Sequence, residues 1–199
     1  AGAIVLGKTN MHELAVGITS TNFAAHAGPV RNPYDRSKIP GGSSGGTAAA
    51  LAVRIVPAGL GTDTGGSTRI PAALTGTAGL RPSVGNGGAE RRYRNEHDVV
   101  PISHTRDTVG PMARTAADLA FVDGIASGDT ALPGIELARL RIGLPRDCWR
   151  QLDSAVEAIA HAARERLEKA GVTFVDVELT EVMSICERIS LPIAFAELG

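Results

Sequence analysis

The sequence predicts an α/β fold in which a parallel or mixed β-sheet is flanked by helices. Short apolar runs of strand length alternate with segments of helical periodicity, and glycine-rich turns stand where strands lead into helices. Hydrophobic residues make up 43% of the 199 positions, which is enough to bury a substantial core. No internal repeat is visible, so the pattern favours one domain over residues 1–199.

The first half of the chain is predicted to alternate strands and short helices. Residues 3–7 form an apolar run typical of a buried parallel strand. A loop rich in Asn, Pro and Gly follows from 19 to 46. The remaining elements are predicted in the order helix Thr47–Val53, strand Val56–Gly61 and helix Thr68–Leu74.

The second half continues this alternation after a polar, turn-rich segment over residues 81–100, which we expect to be a surface loop or lid. Thr115 and Asp118 have the spacing of a capping box, so a helix should begin there. Its apolar face would be formed by Leu119, Val122, Ile125 and Ala126. The elements predicted next are strand Leu140–Leu144, helix Asp153–Ala170, strand Val172–Val177 and a helix through 194–199. The abrupt first strand and last helix indicate a chain truncated at both ends.

Composition excludes several classes of function. The 20 Lys and Arg residues nearly balance 21 Asp and Glu residues, so no overall field attracts nucleic acid or an anionic membrane. Nothing has the pattern of a signal peptide or a membrane span. Cys148 and Cys186 show no CxxC spacing, which predicts buried reduced thiols and a cytoplasmic protein. No histidine pair has metal-ligand spacing, so we expect no metal and no cofactor.

Two glycine-rich segments that contain serine are the main functional signal. They run from Gly41 to Gly46, around Ser43, and from Gly61 to Arg69, around Ser67. Both precede a predicted helix, where unpaired N–H groups can hold an oxyanion. A serine nucleophile also needs a base within hydrogen-bonding distance. The GxSxG pattern is absent, so a Ser-His-Asp triad with His26 or His104 is not favoured.

Taken singly, a Gly-Gly-Ser stretch is most often a plain turn, and it can also cradle phosphate. No nucleotide-binding motif follows a strand here, so nucleotide binding is a weak alternative. The basic run over residues 91–94 could contact nucleic acid, but a solvated loop surface explains it better.

The two segments, with three others, resemble the amidase signature family. The stretches that carry the resemblance are Gly7–Met11, Gly41–Ala50, Gly59–Pro82, Asp107–Arg114 and Leu140–Pro145. Within the family the chain is most similar to bacterial hydrolases of aryl-acetic amides such as mandelamide. The resemblance therefore implies an amidase-type mixed sheet, present here as a partial domain, and hydrolysis of a small carboxamide to carboxylate and ammonia.

The resemblance also implies a Ser-cisSer-Lys triad that works through an acyl-enzyme. Ser67 would be the nucleophile, and Ser43, joined to Gly42 by a cis peptide bond, would relay protons. The implied oxyanion hole consists of the N–H groups of Thr64, Gly65, Gly66 and Ser67. In supporting roles, Asp63 would pair with Arg69, and Ser44 would donate a hydrogen bond to Ser43.

The family's lysine lies upstream of the segment that matches Ala3–Leu6, outside these 199 residues. Lys8 matches a different position of the family pattern, and Lys38 belongs to the loop before the first glycine segment. We therefore expect the fragment alone to be inactive. The implied partner is a small amide substrate, and we expect neither nucleic acid nor a membrane as a partner. Whether the protein forms a homodimer is left open.

Two other functions stay open at this point. The first is an amidotransferase-type subunit acting on aminoacyl-tRNA, in which a Gly-Arg-Val-Ser-Arg sequence follows the equivalent of Gly79–Pro82. Here Ser83–Gly87 follows instead, which disfavours that function. The second is a non-catalytic module with the same fold, against which the retained Ser43 and Ser67 argue.

Overall fold

The computed structural model describes residues 2–24, 26, 28–86, 89–93, 99–130 and 134–198, and it confirms the predicted α/β class. The chain divides into two compact units. The first comprises Ala1–Ala131 with Ile193–Gly199, and the second comprises Leu132–Pro192. The first unit contains an antiparallel sheet and the second a parallel pair of strands. The assignment of one domain to residues 1–199 stays a prediction.

The first unit is built around a three-stranded antiparallel sheet with strand order β1-β3-β2. Asp63, at the end of β1, lies opposite Thr108, at the start of β3. The elements of this unit are α1 (Gly45–Ala52), β1 (Ala58–Asp63), α2 (Arg69–Thr75), β2 (Ala78–Gly79), β3 (Thr108–Ala113) and α3 (Ala116–Ser127). Each predicted strand and helix in this stretch is present, with bounds shifted by one or two residues.

A small core fixes the helices of this unit on the sheet. It joins Ala48 and Leu51 of α1, Ala72 of α2 and Met112 of β3, all buried, with Val56 packed against them. Alanine side chains let the helices approach closely, because little volume separates the backbones. The core thereby brings together the chain entering α1 and the chain between β1 and α2, which carry the two serines.

The second unit is a βαβ arrangement. Strand β4 (Arg141–Pro145) pairs in parallel with β5 (Thr173–Val177), and α4 (Ser154–Lys169) connects them. The Asp153 side chain caps α4 by accepting the N–H of Ala155 at 2.9 Å. These elements confirm the predicted helix and strands. The last helix, α5, spans Thr180–Leu198.

The strand expected over residues 3–7 is wrong. The structure assigns no strand there, and Ile4 and Val5 are 87% and 85% exposed. An apolar run forms a buried strand only when neighbouring strands accept its hydrogen bonds and other layers cover its faces. Among the described residues this segment has neither.

One expectation for α3 is confirmed and one is not. The Thr115 cap is present, with the Asp118 N–H donating to Thr115 Oγ1 at 3.1 Å. The buried face of α3, however, carries Asp123 and Gly124, while Ile125 is exposed. The burial of Asp123 is compensated by the hydrogen bonds that it accepts from Arg92 and Tyr93.

The described part of the basic run, residues 91–93, is therefore not simply a solvated surface. Arg92 Nε and Nη2 lie 2.7 and 2.5 Å from the Asp123 carboxylate, and the buried Tyr93 hydroxyl donates to it at 2.6 Å. Hydrogen bonding by Arg92 holds the pKa of Asp123 below its ordinary value. The parts of the predicted loop at residues 87, 88 and 94–98 lie outside the described residues.

Cys148 and Cys186 are both exposed, so the expectation of buried thiols is wrong. None of the helices in the described part of the chain combines the length and hydropathy that crossing a bilayer requires.

Candidate active site

Ser43 lies in a buried turn directly before α1. The peptide bond between Gly42 and Ser43 is cis. The Ser43 carbonyl accepts the His12 N–H at 3.0 Å and the Ser20 hydroxyl at 3.2 Å. Ser43 Oγ is fully buried and has no hydrogen-bond partner in the described part of the chain. Since buried polar groups are nearly always paired, this hydroxyl is an exception that calls for a partner.

Ser20 holds the Ser43 turn from the side. Its buried hydroxyl donates to the Gly41 carbonyl at 2.7 Å and accepts the Gly45 N–H at 3.0 Å. A Cβ at position 45 would lie 2.1 Å from Ser20 Oγ, so this approach requires glycine there. Sequence reasoning missed Ser20, because a serine within a polar loop carries no local signal of such a contact.

Asp63 organises the Ser67 turn. Its fully buried carboxylate accepts the Gly66 N–H at 2.8 Å, the Thr68 N–H at 3.2 Å and the Thr68 hydroxyl at 2.9 Å. Arg69 adds two hydrogen bonds of 3.0 Å, so the expected Asp63–Arg69 pair is present. Arg81 Nε lies 3.5 Å from the same carboxylate.

The charge state of Asp63 follows from these contacts. Burial raises the pKa of Asp63, but the hydrogen bonds from Arg69 and Thr68 outweigh burial and leave that pKa below its ordinary value. The hydrogen bond to Asp63 in turn raises the pKa of Arg69. Asp63 is therefore ionised at neutral pH and holds the turn as an anion.

The backbone donors of the Ser67 turn are of two kinds. The Gly66 N–H donates to Asp63, and the part expected for Gly66 in an oxyanion hole stays a prediction. The N–H groups of Thr64, Gly65 and Ser67 find no acceptor among the described residues. The half-buried Ser67 hydroxyl likewise makes no hydrogen bond within the described ranges. Within the described part of the chain, the turn thus offers three N–H donors without an acceptor and the hydroxyl of a half-buried serine.

The two serine turns meet through Ser44. The Ser44 N–H donates to the Ser67 carbonyl at 3.1 Å. The Ser44 hydroxyl donates to the Thr62 carbonyl at 3.3 Å and accepts the Thr62 N–H at 3.2 Å. The expected hydrogen bond from Ser44 to Ser43 is therefore wrong, because β1 engages the Ser44 side chain. The backbones adjoin, but the Ser43 and Ser67 hydroxyls are not hydrogen-bonded to each other.

Other candidate bases lie elsewhere. Lys8, Lys38, His26 and His104 are exposed, and none hydrogen-bonds to the Ser43 hydroxyl. No group of three or more His, Cys, Asp or Glu side chains in the described ranges is arranged to hold a metal ion. The site is thus a pair of serine turns with backbone donors and one ionic clamp. This arrangement suits nucleophilic acyl chemistry once a base is supplied.

Comparison with known proteins gives matches over the whole chain. A protein-family model described as Amidase matches residues 1–199. Indoleacetamide hydrolase from Agrobacterium vitis is 46% identical over 200 residues, which cover 99% of this chain and 41% of that protein. Mandelamide hydrolase from Pseudomonas putida is 43% identical over 202 residues, covering 99% and 38%.

A solved structure shows the same similarity in three dimensions. The crystal structure of an amidase superposes with a TM-score of 0.86 at 36% identity, covering 100% of this chain and 43% of that one. The chain therefore spans less than half the length of the proteins that it matches here.

Proposed function

The chain belongs to the amidase family, and from this premise we propose that it carries the nucleophile and the relay serine of an enzyme that hydrolyses a small carboxamide. The observation that carries the proposal is the buried Ser43 hydroxyl, which has no partner among the described residues and lies in a turn whose backbone adjoins that of Ser67. A plain structural turn would satisfy or expose such a hydroxyl.

The reaction begins when Ser67 Oγ attacks the carbonyl carbon of the amide. The Ser67 proton passes to Ser43 Oγ, while the Ser43 proton passes to a base. The oxygen of the tetrahedral intermediate becomes negative and accepts hydrogen bonds from the free N–H groups of Thr64, Gly65 and Ser67. Ser43 then gives a proton to the amide nitrogen and regains one from the base, so that the C–N bond breaks and ammonia leaves. The acyl group stays on Ser67 until water attacks it, which releases the carboxylate and returns a proton to Ser67 Oγ.

The base in this proposal is a lysine that precedes residue 3 in the full-length protein. Leaving a buried hydroxyl without a partner costs about 1 to 3 kcal/mol, and an amine that hydrogen-bonds to Ser43 Oγ removes that cost. Burial disfavours the charged form of such an amine and so keeps it able to accept a proton. The 199 residues alone should therefore show no efficient turnover.

The proposed substrate is an aryl-acetic amide, because the relatives reported above are named as hydrolases of indoleacetamide and mandelamide. The test is ammonia release from indoleacetamide, mandelamide and acetamide by the full-length protein that contains this chain. We expect turnover of one or both aryl-acetic amides and much slower turnover of acetamide. Equal rates on all three would overturn the substrate assignment.

Two variants test the roles of the serines in the same assay. Ser67→Ala should lower kcat by about 10⁴-fold or more, since it removes the nucleophile. Ser43→Ala should lower kcat by about 10²- to 10⁴-fold, since it removes proton transfer. Ser37→Ala, an exposed serine, is the control and should leave kcat unchanged. A Ser67→Ala variant within tenfold of the unmodified enzyme would overturn the proposal.

A further inference from the structure

A carboxylate outside both serine turns contacts the first residue of the Ser67 turn. Asp107 Oδ1 accepts the Thr64 hydroxyl at 2.5 Å. Asp107 Oδ2 accepts the N–H groups of Ile102 and Ser103 at 2.6 and 3.0 Å. Hydrogen bonds to a carboxylate are shorter and about twice as strong as neutral ones. One side chain therefore joins the loop before β3 to the turn after β1.

The sheet register explains why these residues meet. Asp63 lies opposite Thr108, so continuing the antiparallel register by one residue places Thr64 beside Asp107. Beyond Thr64 come Gly65 and Gly66, which have the widest choice of backbone conformations. Asp63 fixes the far end of this turn through Gly66 and Thr68. Asp107 is the side chain that fixes the near end.

The loop that carries Asp107 is itself anchored. The buried Ser103 hydroxyl and the Thr105 hydroxyl both donate to the Glu197 carboxylate, the latter at 2.7 Å. Glu197 and this loop belong to the same compact unit. Asp107 thus presents its carboxylate to Thr64 from a loop that is held on both sides, which is what a positioning group requires.

We propose that Asp107 is a positioning residue for acylation, which holds Thr64 so that the free Thr64 N–H is directed at the developing oxyanion. This inference rests on the proposed function, because the oxyanion forms only if Ser67 attacks an amide. Asp107 touches no reacting atom and acts through Thr64. If the role of Asp107 were only structural, its important contacts would be those with the Ile102 and Ser103 N–H groups. The Thr64 hydroxyl would then be dispensable for catalysis.

The test uses four variants of the full-length enzyme on an aryl-acetic amide: Asp107→Asn, Thr64→Val, the double variant and Thr64→Ser. Thr64→Val removes only the hydroxyl that contacts Asp107, at nearly constant volume. Each single variant should lower kcat about 10- to 100-fold with little change in KM, less than the loss of a whole oxyanion donor. The double variant should be no slower than the worse single one, because Asp107→Asn weakens the same contact that Thr64→Val removes. Thr64→Ser keeps the hydroxyl and should stay within threefold.

Other outcomes overturn the inference in distinguishable ways. A normal kcat for Thr64→Val, a loss confined to KM, or losses that multiply in the double variant would each show that Asp107 does not act through Thr64. If Asp107→Asn does not fold, the Thr64→Val and Thr64→Ser pair still decides. A Ser67→Ala enzyme that retains activity would instead refute the proposed function. An inactive Ser67→Ala beside a normal Thr64→Val would refute this inference alone.

Discussion

The turn that carries Ser43 and the turn that carries Ser67 both lead into a short helix, yet different forces hold them. The Ser43 turn is fully buried and is held by neutral hydrogen bonds, chiefly from the Ser20 hydroxyl. The Ser67 turn is half-buried and is held by the Asp63 carboxylate with Arg69. The Ser43 turn is thus buried and held by neutral groups, whereas the Ser67 turn is held by an ion pair and is partly open to solvent.

This difference matches the two proposed roles. Because the Ser43 turn is fully buried, an ion there would carry a large desolvation cost, so neutral groups hold it. The Ser67 turn must admit a substrate, and there Arg69 keeps about half of its side chain in solvent while it neutralises the buried Asp63. A relay hydroxyl benefits from exclusion of water, whereas a nucleophile must be reached.

The largest expected effect on stability comes from removing the Asp63 carboxylate, which pairs with Arg69 and holds the Ser67 turn. Asp63→Asn removes the buried anion and turns donors toward donors, so it should lower the free energy of unfolding by about 3 kcal/mol or more. Urea unfolding of the full-length protein measures it. The matched control is Asp176→Asn, which breaks the exposed ion pair with Arg146 and should cost less than about 1 kcal/mol. Similar losses for both variants would contradict the ionic account of the Ser67 turn.

Removing the Ser20 hydroxyl, which holds the Ser43 turn, should have a smaller effect on stability and a clear effect on catalysis. Ser20→Ala leaves the Gly45 N–H without its acceptor and the Gly41 carbonyl without its donor, which should cost about 1 to 3 kcal/mol. Because the Ser43 turn loosens, kcat on an aryl-acetic amide should fall while KM changes little. Ser37→Ala, whose hydroxyl bonds to Asp35 at the surface, is the control. An unchanged kcat for Ser20→Ala would show that the turn holds itself.

The two turns should also differ in how their contribution to stability depends on pH. The pKa of Asp63 lies below its ordinary value of 3.8, so the unfolded chain binds a proton there more readily than the native one. The stability contributed by Asp63 is therefore present above pH 3.8 and is lost as pH falls through its lower native pKa. Unfolding by urea at several pH values from neutral downwards should show a smaller acid loss for Asp63→Asn. Ser20→Ala should keep the acid loss of the unmodified protein, and a reduced loss there would contradict the neutral account of the Ser43 turn.

The smallest effect is expected where the two turns meet. Ser44→Ala removes the side-chain bonds to the Thr62 backbone but keeps the Ser44 N–H that donates to Ser67. The loss should be about 1 kcal/mol, with kcat within a few fold, since the backbone contact survives. Thermal unfolding and steady-state kinetics measure both. A loss of kcat as large as that of Ser43→Ala would mean that Ser44, rather than Ser43, is the relay.

The sequence predicted features that depend on neighbours along the chain. The Thr115 cap, the glycine turns before α1 and α2, and the Asp63–Arg69 pair all involve residues at most six positions apart. The Thr115 cap and the glycine turns follow from local spacing, whereas the Asp63–Arg69 pair is implied by the family resemblance.

Features set by distant residues could not be predicted in this way. Ser20 reaches Gly45 across 25 positions, and Thr64 reaches Asp107 across 43. The buried Asp123 depends on Arg92, and the exposed run at residues 3–7 depends on partners that composition does not reveal. Hydroxyls and carboxylates in loops have no periodicity from which a tertiary partner can be inferred.

The most direct test of Ser67 as the nucleophile is to label the full-length protein with a fluorophosphonate. Peptide mass spectrometry then identifies the residue that carries the label. We expect the label on Ser67, no label at this site in Ser67→Ala, and slower labelling of Ser67 in Ser43→Ala. A label on Ser43 or on another residue, or undiminished labelling of the Ser67→Ala protein, would contradict the assignment of the two serines.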